Sequence, residues 1–175
     1  MNPQEINRQL EEMQPWPVER LIAYLRRDHQ RFLGKDLTRM RELAEALGMA
    51  PLHAFLGTMD SELRGHFRME ETIVFPVIEV MKNKEAGELH PALEYACRHM
   101  KADHLLHERH LQVLHSFTSQ IDTQQGSELS IPLLNLMDDF ASEMELHLKL
   151  ENNFLFQPFL KFRDSDFPSG SSDGA

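Results

Sequence analysis

Two five-residue motifs in the sequence begin with histidine and end with glutamate. They are His66-Phe-Arg-Met-Glu70 and His147-Leu-Lys-Leu-Glu151. On an α-helix, residues four positions apart lie on one face, one turn from each other. Each motif can therefore direct an imidazole and a carboxylate at the same point. Imidazole and carboxylate together suit iron, manganese or zinc, so the motifs indicate a metal site.

Two further histidines, His29 and His104, lie near the middles of two other helical stretches. In an antiparallel bundle, residues equally far from a shared turn lie at the same height. Counted from the predicted helix ends, the four histidines differ in height by roughly one helical turn or less, at 1.5 Å per residue. The sequence therefore predicts that all four imidazoles form one layer near the middle of a bundle.

Four long segments with helical periodicity would carry these residues. The predicted helices run over about Val18–Leu47, Pro51–Met81, Pro91–Ile121 and Ser130–Leu160. Pro76 and Pro158 fall inside the second and fourth segments, where proline kinks a helix or ends it early. We predict an all-α fold, an antiparallel up-down-up-down four-helix bundle with a metal site in its core.

The length of the chain, 175 residues, fits one domain with its own core. We predict an N-terminal arm over 1–17, the bundle over 18–162 and a disordered tail over 163–175, because the tail is small and polar. Docking of the arm, around Trp16, onto the bundle or a neighbouring protein is left open.

The net charge of −10 disfavours nucleic acid and anionic membranes as partners, since both bind basic patches. A single cysteine, Cys97, suits a reducing compartment. The sequence shows neither a long apolar run nor the basic and apolar regions of a secretory signal. We therefore expect a cytoplasmic protein, with Cys97 as a buried thiol.

The predicted metal ligands combine the two motifs with the two separate histidines. They are His29, His66, Glu70, His104, His147 and Glu151. Two carboxylates can bridge two cations, and four neutral histidines then fill terminal positions. Six protein donors do not saturate two six-coordinate ions, so positions remain for a bridging oxide or water and for a small ligand. A mononuclear zinc site or a purely structural bundle is the alternative.

Several residues beside the predicted ligands have an open role. Glu108 completes a third His-x-x-x-Glu with His104, and it is either a further ligand or a solvated partner of Arg109. His107 is either a supporting group or partly exposed.

Three acidic residues are candidates for hydrogen bonds to ligand histidines or for surface positions; these are Asp28, Glu71 and Asp103. Two phenylalanines, each nine residues after a motif histidine, are predicted to be buried; these are Phe75 and Phe156.

The pattern as a whole resembles the hemerythrin-like, HHE cation-binding family. The resemblance lies in Asp28-His29, His66-x-x-x-Glu70-Glu71, Asp103-His104 and His147-x-x-x-Glu151-Asn-Asn, and it extends from about Val18 to Leu160. Within that family the pattern is most similar to the di-iron branch that repairs iron–sulfur clusters. The resemblance implies two iron ions with an oxo or hydroxo bridge, Glu70 and Glu151 as bridging ligands and the four histidines as terminal ligands.

The chain departs from the family's oxygen carriers and repair proteins at defined places. Oxygen-carrying hemerythrins have a fifth histidine four residues after the one on the third helix and an aspartate in the last motif, where this chain has Glu108 and Glu151. Repair proteins usually have an additional cysteine-containing N-terminal domain, where this chain has a short polar arm. The resemblance implies binding or sensing of O₂, NO or peroxide, and alternatively an enzyme of cluster repair under nitrosative and oxidative stress.

Overall fold

The computed structural model is all-α within the residues that it describes, which are 2–81, 91–121 and 128–159. Its α-helices are α1 (Pro3–Met13), α2 (Val18–Arg31), α3 (Leu37–Ala46), α4 (Ala50–Met69), α5 (Phe75–Met81), α6 (Pro91–Thr118) and α7 (Ser130–Leu150). The predicted all-α class is confirmed, whereas the predicted disordered tail lies outside the described residues. None of the described helices has the length and apolar character needed to cross a membrane.

Three π-helical turns extend these α-helices. Phe32–Asp36 joins α2 to α3, Glu70–Val74 joins α4 to α5, and Glu151–Leu155 follows α7 before a short 3₁₀ turn, Gln157–Phe159. A π-helical turn holds one extra residue per turn and occurs frequently at functional sites. Two of the three turns begin at the glutamate of a His-x-x-x-Glu motif.

Pro76 does not end the second predicted helix, which continues through α5 to Met81. The π-helical turn Glu70–Val74 closes just before this proline, where the Phe75 N–H donates to the carbonyl of Glu70. Proline cannot donate and crowds the carbonyl four residues earlier in an α-helix. The wider turn changes the hydrogen-bond partners at that place, and the chain stays helical.

The N-terminal arm contains a helix, α1, that packs on the rest of the protein. Its N-terminus is capped by Asn2, whose side-chain oxygen accepts from the Glu5 N–H at 2.9 Å. Ile6, Leu10 and Met13 recur at helical spacing and are buried. The α1 helix contacts α7, so the arm contributes to the core.

The core consists of two apolar clusters on either side of a polar layer. The first cluster, at the α1 side, includes Leu25, Val74, Phe75, Met100 and Leu155. The second cluster includes Phe32, Leu63, Leu114, Met137 and Phe140. Along each long helical segment, most of the buried apolar residues before the histidine layer belong to one cluster and most of those after it belong to the other.

Candidate metal centre

The structure brings the six predicted ligands together in two overlapping groups. The first group is His29, Glu70, His147 and Glu151, and the second is His66, Glu70, His104 and Glu151. Within each group, one donor atom from every residue lies within 4.8 Å of the others. Both glutamates belong to both groups, and all six side chains are buried.

Helix geometry positions the two His-x-x-x-Glu pairs. The Glu70 backbone N–H donates to the carbonyl of His66, and the Glu151 N–H donates to that of His147. These are the hydrogen bonds of an α-helical turn, which places each carboxylate one turn beyond its imidazole. The π-helical turn that begins at each glutamate then leads the chain into the first apolar cluster.

The carboxylate of Glu70 faces both groups of donors. Its Oε1 lies 3.2 Å from Nε2 of His66, and its Oε2 lies 3.4 Å from Nε2 of His29. Each oxygen is therefore directed at a different group, which is the arrangement of a carboxylate that bridges two cations.

Glu151 repeats this arrangement from α7. Its Oε1 lies 3.4 Å from Nε2 of His147, and its Oε2 lies 3.3 Å from Nε2 of His104. The Nε2 atoms of His104 and His66 are 3.1 Å apart. The nitrogen atoms that face the centre are thus all Nε2, from one imidazole on each of α2, α4, α6 and α7.

Most of the atoms that face the centre have no hydrogen-bond partner among the described residues. These atoms are Nε2 of His29 and His147 and both carboxylate oxygens of Glu70 and Glu151. Burying a polar group without a hydrogen bond is costly, and burying an uncompensated charge is more so. A cation held by each group would satisfy these atoms, so the donor set fits a pair of metal ions.

On the Nδ1 side, each of the four imidazoles faces a side-chain oxygen. His29 Nδ1 lies 2.8 Å from Oε1 of Glu71, and His104 Nδ1 lies 2.9 Å from Oδ1 of Asn152. These two acceptors are oxygens, so the Nδ1–H of each imidazole donates to them. In the neutral form of each imidazole, the lone pair on Nε2 then faces the centre, as metal ligation needs.

The other two histidines face carboxylates at a longer distance. His147 Nδ1 lies 3.5 Å from Oδ2 of Asp28, and His66 Nδ1 lies 3.5 Å from Oδ2 of Asp103. Each of these four side chains is next in sequence to one predicted ligand and faces the imidazole of another predicted ligand, on a different helical segment. Of the two roles left open by the sequence for Asp28, Glu71 and Asp103, the structure thus favours support of the ligands.

The buried carboxylates and imidazoles shift one another's pKa. Burial would raise the pKa of Glu70, but His66, His104 and His29 hold it well below its usual range, and the pKa of Glu151 is also lowered. Burial would lower the pKa of His147, but Glu151 and Asp28 raise it to about 10. Without metal, the protein therefore balances carboxylate charge with imidazolium charge at neutral pH.

Aromatic rings cover the imidazoles on their apolar side. The Phe67 ring stacks on His29 with centroids 3.9 Å apart, and Phe75 lies 5.8 Å from the same imidazole. Phe156 stacks on His104 at 5.7 Å. Phe75 and Phe156 are fully buried, as predicted. Their rings keep water away from the two imidazoles that are outside the His-x-x-x-Glu motifs.

Position 108 does not join the centre. Glu108 is exposed, whereas His107, three residues after His104 rather than four, is buried with its ring centroid 4.7 Å from that of His66. The ligand role considered for Glu108 is therefore not supported. The alternative in which His107 is partly exposed is wrong, because this side chain lies on the buried face of α6. Burial, followed by the charges of His66 and His104, lowers its pKa to about 3, so it is neutral.

Asn152 is a contributor that the sequence analysis missed. It follows Glu151 as Glu71 follows Glu70, and that shared position was the available signal. Cys97 is buried, as predicted, and His115 is exposed. His110 is mostly covered, with a side chain 12% exposed and its Nε2 at 3.1 Å from Oε2 of Glu62.

Comparison with known protein families gives one match. A family model described as the hemerythrin HHE cation binding domain matches residues 20–160. Neither the comparison with curated proteins nor that with solved structures gave a match. The matched range includes most of the chain and all six residues of the two donor groups. The chain therefore belongs to the hemerythrin HHE cation-binding domain family.

Proposed function

We propose that this protein is a non-haem di-iron protein that binds or senses a small ligand, namely O₂, NO or peroxide. The observation that carries the proposal is the pair of four-donor groups that share Glu70 and Glu151. In this proposal Glu70 and Glu151 would contribute to both metal positions. The terminal ligands are His29 and His147 for one ion and His66 and His104 for the other.

The proposal includes an up-down-up-down arrangement of the four long helical segments. The order in which each segment visits the two apolar clusters supports it. The segment with α2 runs from the first cluster at Leu25 to the second at Phe32, and the segment with α4 runs back from Leu63 to Val74. The α6 and α7 segments repeat this alternation. Segments that visit the clusters in alternating order are antiparallel.

Iron held by these ligands would supply redox chemistry and an affinity for diatomic molecules. The chain itself contributes the geometry and the surroundings. Hydrogen bonds from Nδ1 to Glu71 and Asn152 orient the imidazoles of His29 and His104, and burial between two apolar clusters excludes bulk water. Each four-donor group is smaller than an octahedral ligand set, so room remains for a small exogenous ligand.

Anaerobic loading with Fe²⁺ tests this function. The expected result is about two iron atoms per folded chain, with absorbance changes on addition of O₂, NO or peroxide. A folded preparation that retains no iron after anaerobic loading would refute the di-iron centre. Iron binding without any spectral response to the three ligands would refute the ligand-binding role alone.

A role in iron–sulfur cluster repair under nitrosative and oxidative stress is the second candidate. It is favoured over a dedicated oxygen carrier because the residue that would supply a fifth histidine is Glu108, and that side chain is exposed. Loss of the gene should then slow the recovery of cluster enzymes after exposure to NO. Unchanged recovery would count against repair and leave the binding function standing.

A further inference from the structure

The predicted ligands and Nδ1 acceptors of the two halves of the metal centre match each other residue by residue except at one acceptor. His29 corresponds to His104, and the pair His66–Glu70 corresponds to His147–Glu151. Each half also contributes one aspartate that directly precedes a ligand histidine; these are Asp28 and Asp103. The remaining acceptor is the carboxylate of Glu71 in one half and the neutral amide of Asn152 in the other.

The two aspartates face their imidazoles at the same distance. Asp28 faces His147 and is also 3.4 Å from a guanidinium nitrogen of Arg31. Asp103 faces His66 and is also 3.3 Å from Nδ1 of His99. Both lie 3.5 Å from the Nδ1 that they face, and both share their carboxylate with a second basic side chain.

Glu71 and Asn152 do differ in charge at the same short distance. The Glu71 oxygen lies 2.8 Å from His29 Nδ1, and the Asn152 oxygen lies 2.9 Å from His104 Nδ1. Among the described residues, no lysine or arginine pairs with Glu71. The His29/His147 position is therefore supported by two carboxylates, and the His66/His104 position by one carboxylate and one amide.

We propose that the two metal positions are inequivalent, and that the His29/His147 position binds a divalent cation more tightly and fills first. A carboxylate that accepts from Nδ1–H makes the imidazole a stronger base at Nε2, whereas an amide oxygen does so less. Changes to such outer partners typically alter metal affinity by about 10- to 100-fold. This inference rests on the proposed di-metal centre and adds an order of filling to it.

Co²⁺ titration of the metal-free protein tests this order, followed by the visible absorption of the bound ion. Two binding steps are expected, separated by about tenfold or more in affinity. Crystals grown with one equivalent of Co²⁺ should show anomalous scattering mainly at the His29/His147 position. The double variant Glu71→Gln with Asn152→Asp moves the extra carboxylate to the other half without changing net charge. It should reverse the order and place the first Co²⁺ at the His66/His104 position.

Two matched substitutions control for effects that do not depend on the Nδ1 contacts. Glu79→Gln makes the same change of charge on α5, at a residue paired with Arg26, and Asn153→Asp adds a carboxylate next to Asn152 at an exposed residue. Both should retain the order of the unmodified protein. Two positions that fill equally, or an order unchanged in the double variant, would overturn the inference alone. A folded chain that binds neither Co²⁺ nor Fe²⁺ would overturn the proposed function as well.

Discussion

At the scale of single residues, the centre is defined by two carboxylates whose oxygens each face a different imidazole. Glu70 and Glu151 are fully buried, and their oxygens have no hydrogen-bond partner among the described residues. A carboxylate in such a place needs positive charge beside it. Imidazolium can supply that charge in the absence of metal, and cations supply it when the histidines are neutral ligands.

Substitution of these proposed ligands should therefore have unequal effects on metal binding. Glu70 belongs to both donor groups, whereas His147 belongs to one. We expect Glu70→Ala to weaken both metal positions and His147→Ala to reduce metal content from about two ions per chain to about one. Metal analysis of protein that is folded by circular dichroism measures this difference.

His115→Ala is the control, because that histidine is exposed on α6. It should leave metal content unchanged. If His115→Ala removed metal as completely as Glu70→Ala, the assignment of the ligand layer would be wrong.

At the scale of helices, the site depends on where π-helical turns and α1 are placed. The turns Glu70–Val74 and Glu151–Leu155 begin at the two glutamates that both donor groups share, and each turn leads the chain into the first apolar cluster. The α1 helix closes that cluster with Ile6, Leu10 and Met13. An element outside the four long segments thus helps to support the centre through packing.

Ile6→Ala tests the contribution of α1. Ile6 is 1% exposed in the first cluster, so truncation should lower the free energy of unfolding by about 2 to 5 kcal/mol, from lost burial and the cavity left behind. Urea unfolding would measure it. Asn7→Ala, one residue away and exposed, should change stability by less than about 0.5 kcal/mol. Equal effects of the two substitutions would show that α1 does not pack on the core in solution.

At the scale of the whole molecule, the centre connects segments that are far apart in sequence. Its six donors come from four helical segments and lie between the two apolar clusters. The positive charge in this layer, whether from imidazolium or from metal cations, therefore affects the stability of the entire fold. Metal binding, proton binding and folding are linked, because ligands must lose protons to bind metal.

The metal-free protein should lose stability as pH rises from about 6 to about 8.5. The pKa of His147 is raised to about 10 and that of His104 to about 9, each by nearby carboxylates that outweigh burial. A group with a raised folded-state pKa stabilises fully below its unfolded value, near 6.5, and this contribution decreases as pH approaches the folded value. Urea unfolding in the presence of a chelator measures the change.

Over this pH range, ionisation of the Cys97 thiol does not add to the effect of the histidines. Burial raises the pKa of Cys97 from 9.0 to about 12, so its contribution is lost only above the range tested. Metal-loaded protein should not show the decline, since its histidines carry no proton to lose on Nε2. Metal-free protein that is equally stable at both pH values would contradict the charge balance assigned to the centre.

The sequence by itself determined the helical class, the bounds of the long segments and the six residues that meet. Helical periodicity and the i, i+4 spacing of His66–Glu70 and His147–Glu151 are local properties, so they can be recognised without a tertiary fold. Equal distances from the turns were enough to place His29 and His104 at the same level.

Only the tertiary structure decided which neighbours support these residues. A one-residue difference on α6 buried His107 and exposed Glu108, and the packing of neighbouring helices sets which of them faces inward. The contacts of Glu71 and Asn152 with imidazoles on other helices depend on how those helices are paired. The π-helical turns and the burial of α1 were likewise decided by packing, because local propensity does not specify an extra residue in a turn or the surface that covers a short amphipathic helix.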